Sequence, residues 1–318
     1  MKIAVFGTGG LGGYFGARLL QAGHEVSFIA RGAQLAALNR DGLRVESALG
    51  DLHLIPVRAT DDPAEIGPVD AVLFMVKLYD TAAAAAALAP LLGAGTVVVS
   101  FQNGVDGWQR IGEAVGQGRV LGGVAYIFSE VLAPGVIRHS GELARLLFGE
   151  FDGRHTPGAE RLARAFADAE VDAHLVEDIL VRIWEKFVLL SAISGVTALT
   201  RLPIGQVLAD GPCASLFRDA LGETAAVGRA RCPALAADIA ERQFAFAQSL
   251  PFGMRASMLN DLTRGRRLEL EDLSGAVVRL GSELGLATPV HGAIYRALHP
   301  LIDGSPRGEP ERPDAAGR

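Results

Sequence analysis

Six residues near the start of the chain, Gly7-Thr8-Gly9-Gly10-Leu11-Gly12, restrict the fold more than any other feature. They follow the apolar, β-branched run of residues 3–6 and precede a helical pattern through Tyr14, Ala17, Leu19 and Leu20. A G-x-G-x-x-G between a strand and a helix is the phosphate-binding turn of a dinucleotide fold. Gly7 permits the tight turn, Gly9 lets backbone approach a pyrophosphate, and Gly12 allows close packing of helix on strand. The helix N-terminus then faces the diphosphate charge. All six residues, Thr8, Gly10 and Leu11 included, are candidate cofactor contacts.

The pattern that follows supports this reading. Short β-rich runs at 3–6, 25–29, 71–76 and 97–101 alternate with helical ones at 11–22 and 81–92. Such alternation predicts a doubly wound parallel sheet flanked by helices, an α/β, Rossmann-like domain. The run Ala71-Val72-Leu73-Phe74-Met75-Val76 is continuously apolar, as a strand covered on both faces must be. Residues 120–149 carry several glycines, Pro134-Gly135 and a β-like run at 146–148, which predicts further strands and turns. From Gly158 onward segments with a 3.6-residue period take over, at 159–169, 178–199, 235–248 and 268–284. The expected organisation is a nucleotide-binding domain over 1–170, an all-helical substrate and catalytic domain over 171–302, and a disordered tail over 303–318, where Pro, Gly and charge leave nothing to bury.

Composition narrows the partners. Of 318 residues 49% are hydrophobic and 21% charged, a folded globular balance, and the net charge of −6 offers no broad positive surface for nucleic acid or anionic lipid. The two cysteines, Cys213 and Cys232, have neither disulfide-framework nor thiolate-zinc spacing, which fits a reducing cytoplasm. No export signal is visible, because glycines interrupt the first apolar run. Residues 82–101 approach bilayer length, but Pro90, Gly93 and Gly95 divide them into helix, turn and strand. The seven histidines show no metalloprotease spacing, and no serine or cysteine nucleophile signature is present, so no metal is expected. The apolar helical half is compatible with a homodimer.

The strand at 25–29 ends in Ala30-Arg31-Gly32, where an NAD enzyme usually places an acid on the ribose 2′-hydroxyl. Arg31 suits a 2′-phosphate instead, since a guanidinium pairs bidentately with phosphate, although a solvated surface arginine satisfies the same pattern. NADP(H) is the expected cofactor.

Taken together, the glycine loop with Arg31, Val76-Lys77, Gln102-Asn103-Gly104, Trp184-Glu185-Lys186, and Ser257-Met258-Leu259-Asn260-Asp261 followed by Gly265-Arg266 and Glu269 resemble the ketopantoate reductase family. The resemblance runs from Met1 to about residue 300. It implies that Lys186 is the general acid, protonating a ketone oxygen while the nicotinamide delivers hydride to the carbonyl carbon. An ammonium there would both stabilise the developing oxyanion and supply the proton. It implies cofactor or substrate roles for Lys77 and Asn103, substrate binding by Ser257, and a cofactor or substrate contact for Glu269. Each has a plainer reading: a snorkelling lysine for Lys186, a solvated one for Lys77, a turn for Asn103-Gly104, a helix cap for Ser257 and a surface acid for Glu269.

The chain departs from the family pattern at three places. Leu190 and Ser194 stand where the family places asparagines four and eight residues beyond the lysine, and they share its helix face. Ser194 retains a hydroxyl for substrate, whereas Ser191 lies about 100° round the helix and does not replace an asparagine at 190. The segment Ala125-Tyr126-Ile127-Phe128-Ser129 lacks the family's threonine-rich pattern, and His291 follows Pro289 where asparagine is usual. The expected reaction is therefore reduction of a branched 2-ketoacid, by default 2-dehydropantoate to pantoate. A related NADP-dependent enzyme of another small keto or hydroxy acid, and a non-catalytic NADP sensor, are the alternatives.

Overall fold

In the computed structural model, which describes residues 1–304, the chain separates into two units, Met1–Ile183 and the residues from Trp184 onward. The first unit begins with β1 (Lys2–Phe6), α1 (Gly10–Gln21), β2 (Glu25–Ile29) and α2 (Gly32–Asp41). Then come β3 (Leu43–Ser47), β4 (Leu52–Leu54), β5 (Arg58–Thr60) and β6 (Val69–Phe74). α3 (Thr81–Ala86), β7 (Leu92–Ser100), α4 (Gly107–Val115), β8 (Val120–Ala133), β9 (Val136–Gly149), α5 (Pro157–Asp168) and β10 (Asp172–Leu175) complete it. One ten-stranded sheet runs β4-β3-β9-β8-β7-β6-β1-β2-β5, with β10 pairing on β9.

The centre of this sheet is parallel and buried on both faces. Ile3, Val5, Ala71, Leu73, Val97 and Val99 pack into one apolar core with Phe15, Phe28, Phe101 and Phe148. Their strand neighbours Ala4, Phe6, Val72, Phe74 and Val98 pack into the other with Leu88 and Ile111. Alternate residues of a pleated strand point to opposite faces, so a strand with helices on both sides is apolar throughout. That explains the unbroken runs in the sequence.

The second unit is helical among the described residues. α6 (Ile179–Thr200) leads into it, followed by α7 (Ile204–Ala209), α8 (Gly211–Arg231), α9 (Ile239–Ser249), α10 (Ser257–Thr263), α11 (Ser274–Leu284) and α12 (Pro289–Leu298). α8 packs against α7, α9, α11 and α12. Asp210 caps α8 by accepting from Cys213 N–H at 2.9 Å, and Gly285 ends α11 in the left-handed conformation.

Several boundaries differ from the sequence reading. The helix expected over 81–92 stops at Ala86, because Pro90 cannot continue it, and residues 89–91 form a 3-10 turn. The helices expected from 235 and 268 begin at Ile239 and Ser274. β10, which lies beyond residue 170, pairs in register with β9, Asp172 opposite Arg145, and so belongs to the first unit's sheet. The tail expected over 303–318 lies outside the described residues except for its first two. No described helix is long and apolar enough to cross a membrane, in keeping with the division of residues 82–101 by Pro90 and the glycines.

Candidate active site

The glycine loop is built for close approach. A side chain at Gly7, where φ is +106°, would lie 2.8 Å from the backbone of Met75 and Val76. One at Gly12 would collide with the Gly7 carbonyl, and one at Gly10 would come within 2.6 Å of the Ser129 carbonyl. Gly9 is different: its missing Cβ would meet nothing within 4 Å. Thr8 is anchored inward. Gly7 N–H and Thr8 N–H both donate to Ile29 O at 3.2 Å, and the Thr8 hydroxyl donates to it at 3.1 Å. Gly9 N–H has no acceptor among the described residues, and it leads straight into the unpaired N–H groups that open α1, which is the arrangement a diphosphate requires. The residues present therefore fit a dinucleotide.

This geometry separates two substitutions the sequence cannot rank. Gly9→Ala should change the stability of the ligand-free protein by no more than about 0.5 kcal/mol yet weaken dinucleotide binding by roughly tenfold or more, since the methyl occupies the approach path. Gly12→Ala should destabilise the fold itself by about 1–3 kcal/mol through backbone overlap. Thermal melts beside fluorescence titrations distinguish them; equal melting losses in both variants would show that Gly9 is only structural.

Arg31 caps the start of α2 in extended conformation, exposed, and its guanidinium has no hydrogen-bond or ion partner among the described residues. It is thus available to an anion. Lys77 follows β6 at the start of a 3-10 turn and is half-buried. Beyond β7 the two neighbouring amides of the Gln102-Asn103 pair divide their work. Gln102 turns inward, donating to Val76 O at 3.1 Å and to the Thr81 hydroxyl at 2.8 Å, so it ties the ends of β6 and β7 together. Asn103 lines a small cavity with Gln102, Trp108, Gly122, Gly123 and Ile183, and Trp108 stacks on Phe151 at 3.9 Å between ring centroids. Lys77 and Asn103 both lie beyond the carboxyl ends of parallel strands, where open α/β sheets bind ligands.

In the second unit, Trp184 is the buried anchor of α6: it meets Phe187 edge-on at 5.7 Å, and a side chain at Gly228 of α8 would come within 3.0 Å of its ring. Lys186, two residues on, faces elsewhere and is half-buried as a whole residue. Desolvation of its ammonium lowers its pKa from the usual lysine value to about 8, and the Glu269 carboxylate partly opposes that shift. Glu269 is buried, in the turn between α10 and α11, and its negative charge favours the protonated form of Lys186. Ser257 does not join them by a hydrogen bond. It is the exposed first residue of α10, whose cap is Ala256, so it is not a helix cap either.

The family profile "Ketopantoate reductase PanE/ApbA" matches residues 3–153, and "Ketopantoate reductase PanE/ApbA C terminal" matches residues 178–301. The chain belongs to the ketopantoate reductase family. It is an oxidoreductase of that type. A protein of Archaeoglobus fulgidus named 2-dehydropantoate 2-reductase is 35% identical over 308 residues, covering 96% of this chain and 98% of its own. One of the same name from Mesorhizobium japonicum is 33% identical, covering 95% and 98%. The crystal structure of a PanE/ApbA family ketopantoate reductase from Ralstonia eutropha superposes with a TM-score of 0.87 at 33% identity, over 95% of this chain and 99% of that one.

In this member of the ketopantoate reductase family the departures have structural content. Leu190, one turn beyond Lys186, is half-buried and apolar. Ser194, two turns beyond, is fully buried, and its hydroxyl has no hydrogen-bond partner among the described residues. Ser191 points into a separate network: its hydroxyl bonds Thr224 at 2.9 Å, Thr224 bonds His291 Nε2 at 2.9 Å, and His291 Nδ1 bonds Ser274 at 3.3 Å. That network links α6, α8, α11 and α12. In the sequence His291 stands out only as a departure from the family pattern. A histidine among the apolar residues that open α12 is the available signal, but its partners are far away in sequence.

Proposed function

We propose that the protein reduces a branched 2-ketoacid with NADPH, by default 2-dehydropantoate to pantoate in pantothenate biosynthesis. The observation that carries the reading is the Lys186–Glu269 pair, with an ammonium whose pKa of about 8 suits proton donation near neutral pH. When bound, the nicotinamide supplies the hydride. The amides of Gly9, Gly10 and Leu11 bind the diphosphate, Arg31 the 2′-phosphate, and Lys77, Asn103 and Glu269 hold cofactor and substrate in position. Lys186 hydrogen-bonds the ketone oxygen, neutralises the charge that grows on it and delivers its Nζ proton. Ser194 and Ser257 offer hydroxyls to the remaining polar groups of the acid.

Leu190 favours a second reading, a 2-ketoacid with a less polar side chain than ketopantoate. NADPH or NADH oxidation measured with ketopantoate beside several branched 2-ketoacids tests both. Fast NADPH-selective turnover of ketopantoate supports the default, activity confined to another acid supports the second, and no turnover with any acid leaves a nucleotide sensor. Arg31→Ala should raise the KM for NADPH by roughly 10–100-fold and leave that for NADH nearly unchanged, because a charge-assisted bidentate phosphate contact is lost. Equal changes for the two cofactors would remove Arg31 from the 2′-phosphate site.

A further inference from the structure

Gln34, on the first turn of α2, spans two segments far from it in sequence. Its Nε2 donates to Thr8 O at 3.0 Å, and its Oε1 accepts from Gly135 N–H at 2.9 Å. A carbonyl only accepts and a backbone N–H only donates, so both ends of the amide are committed. The far end is itself held firmly. Gly135, at the tip of the β8–β9 hairpin with φ +77°, accepts from Arg44 N–H at 2.9 Å, and a side chain there would lie 3.2 Å from Ala37 of α2.

The consequence falls on the Thr8–Gly9 peptide. In a trans peptide the carbonyl and the following N–H point in opposite directions. Holding the Thr8 carbonyl against α2 therefore turns Gly9 N–H away from it, and that N–H meets no acceptor among the described residues. Glycine at position 9 removes the steric bar to flipping this peptide, and a flipped peptide would present an oxygen where a donor is needed. Sterics at position 9 therefore do not choose the orientation, and the Gln34 amide is placed to do so.

We infer that Gln34 is a positioning residue for cofactor binding: it locks the Thr8–Gly9 peptide so that Gly9 N–H faces the dinucleotide's diphosphate. The inference rests on the dinucleotide reading above. Because Gln34 lies three residues after Arg31, α2 carries both the 2′-phosphate contact and the lock on the diphosphate contact. The lock serves NADPH and NADH alike, since both contain the diphosphate.

Gln34→Met keeps the length of the side chain without either hydrogen bond, and Gln34→Glu can accept from Gly135 but cannot donate to Thr8. Binding of NADPH, NADH and 2′-AMP, which has the 2′-phosphate but no diphosphate, is measured with the full chain by fluorescence or calorimetry, alongside the ligand-free melting temperature. Both variants should weaken NADPH and NADH by about tenfold each, as expected for one lost donor to a charged group. They should leave 2′-AMP within about twofold of the unmodified chain, with steady-state losses carried by KM more than kcat. Dinucleotide binding within twofold of the unmodified chain overturns the proposal. So does a parallel loss of 2′-AMP, which would place the role of Gln34 in supporting Arg31, and so does a loss that merely tracks a fallen melting temperature. If the unmodified chain binds neither dinucleotide, the cofactor reading itself fails, before any variant is compared.

Discussion

Lys186→Met lowers kcat for ketoacid reduction by roughly 100-fold to 10,000-fold while leaving dinucleotide affinity nearly intact, the range expected when a positioned general acid is removed. The protonated ammonium is the donor, so kcat/KM of the unmodified enzyme should be flat at lower pH and fall as pH rises through about 8, the value desolvation sets for this lysine in the ligand-free chain. In the reverse direction the neutral amine must accept the proton, and the dependence inverts. Glu269 raises the Lys186 pKa against desolvation, so Glu269→Gln should move the falling limb to lower pH. The pH profile separates this role from a structural one: a Glu269→Gln profile displaced upward, or a Lys186→Met enzyme within tenfold of the unmodified rate, would remove the pair from proton transfer.

Acid should weaken the second unit through His291. The ring is fully buried, and desolvation lowers its pKa from 6.5 to about 4, with a backbone contact to Ala220 working against that shift. Its Nε2 lies 3.1 Å from Ala220 O, which only accepts, so Nε2 carries the proton and Nδ1 accepts from the Ser274 hydroxyl. The folded chain thus keeps the ring neutral over a range in which the unfolded chain protonates it. Stability from this group is complete above about pH 6.5 and declines as pH falls toward 4, by about 3 kcal/mol in all, from 1.36 kcal/mol for each pH unit between the two pKa values. Glu223 caps the start of α12 by accepting from Val290 N–H at 2.7 Å and His291 N–H at 2.9 Å, and burial raises its pKa. Its protonation in acid acts in the opposite sense, so the comparison needs a variant. Urea unfolding of the unmodified chain and of His291→Asn should show a stability gap that shrinks by about 3 kcal/mol between pH 7 and pH 4. A gap independent of pH would mean that His291 is not held neutral.

Much of the first unit is legible in the order of its residues. The glycine loop announces itself because backbone approach to phosphate demands glycine at fixed spacing, and β1, β2, β6 and β7 announce themselves because doubly covered strands are apolar without a break. β3, β4 and β5 escape such a reading. They are short, carry charged or polar side chains such as Arg44, His53 and Arg58, and owe their extended form to their neighbours in the sheet. The helix expected from residue 268 begins only at Ser274, and the residues so freed from helix include Glu269.

Local chemistry acts between near neighbours along the chain, and whatever depends on that alone can be read from the residues in order. To this class belong the strand-turn-helix that fits a dinucleotide, Arg31 after β2 in place of an acid, and the change from sheet to helix in the second half. What depends on residues far apart in the chain comes into being only on folding. The desolvation and the Glu269 charge that set Lys186, the burial that holds His291 neutral beside Thr224 and Ser274, and the reach of Gln34 from Thr8 to Gly135 all arise from packing. No residue carries in its own identity the low polarity around it or the charge that folding brings to its side.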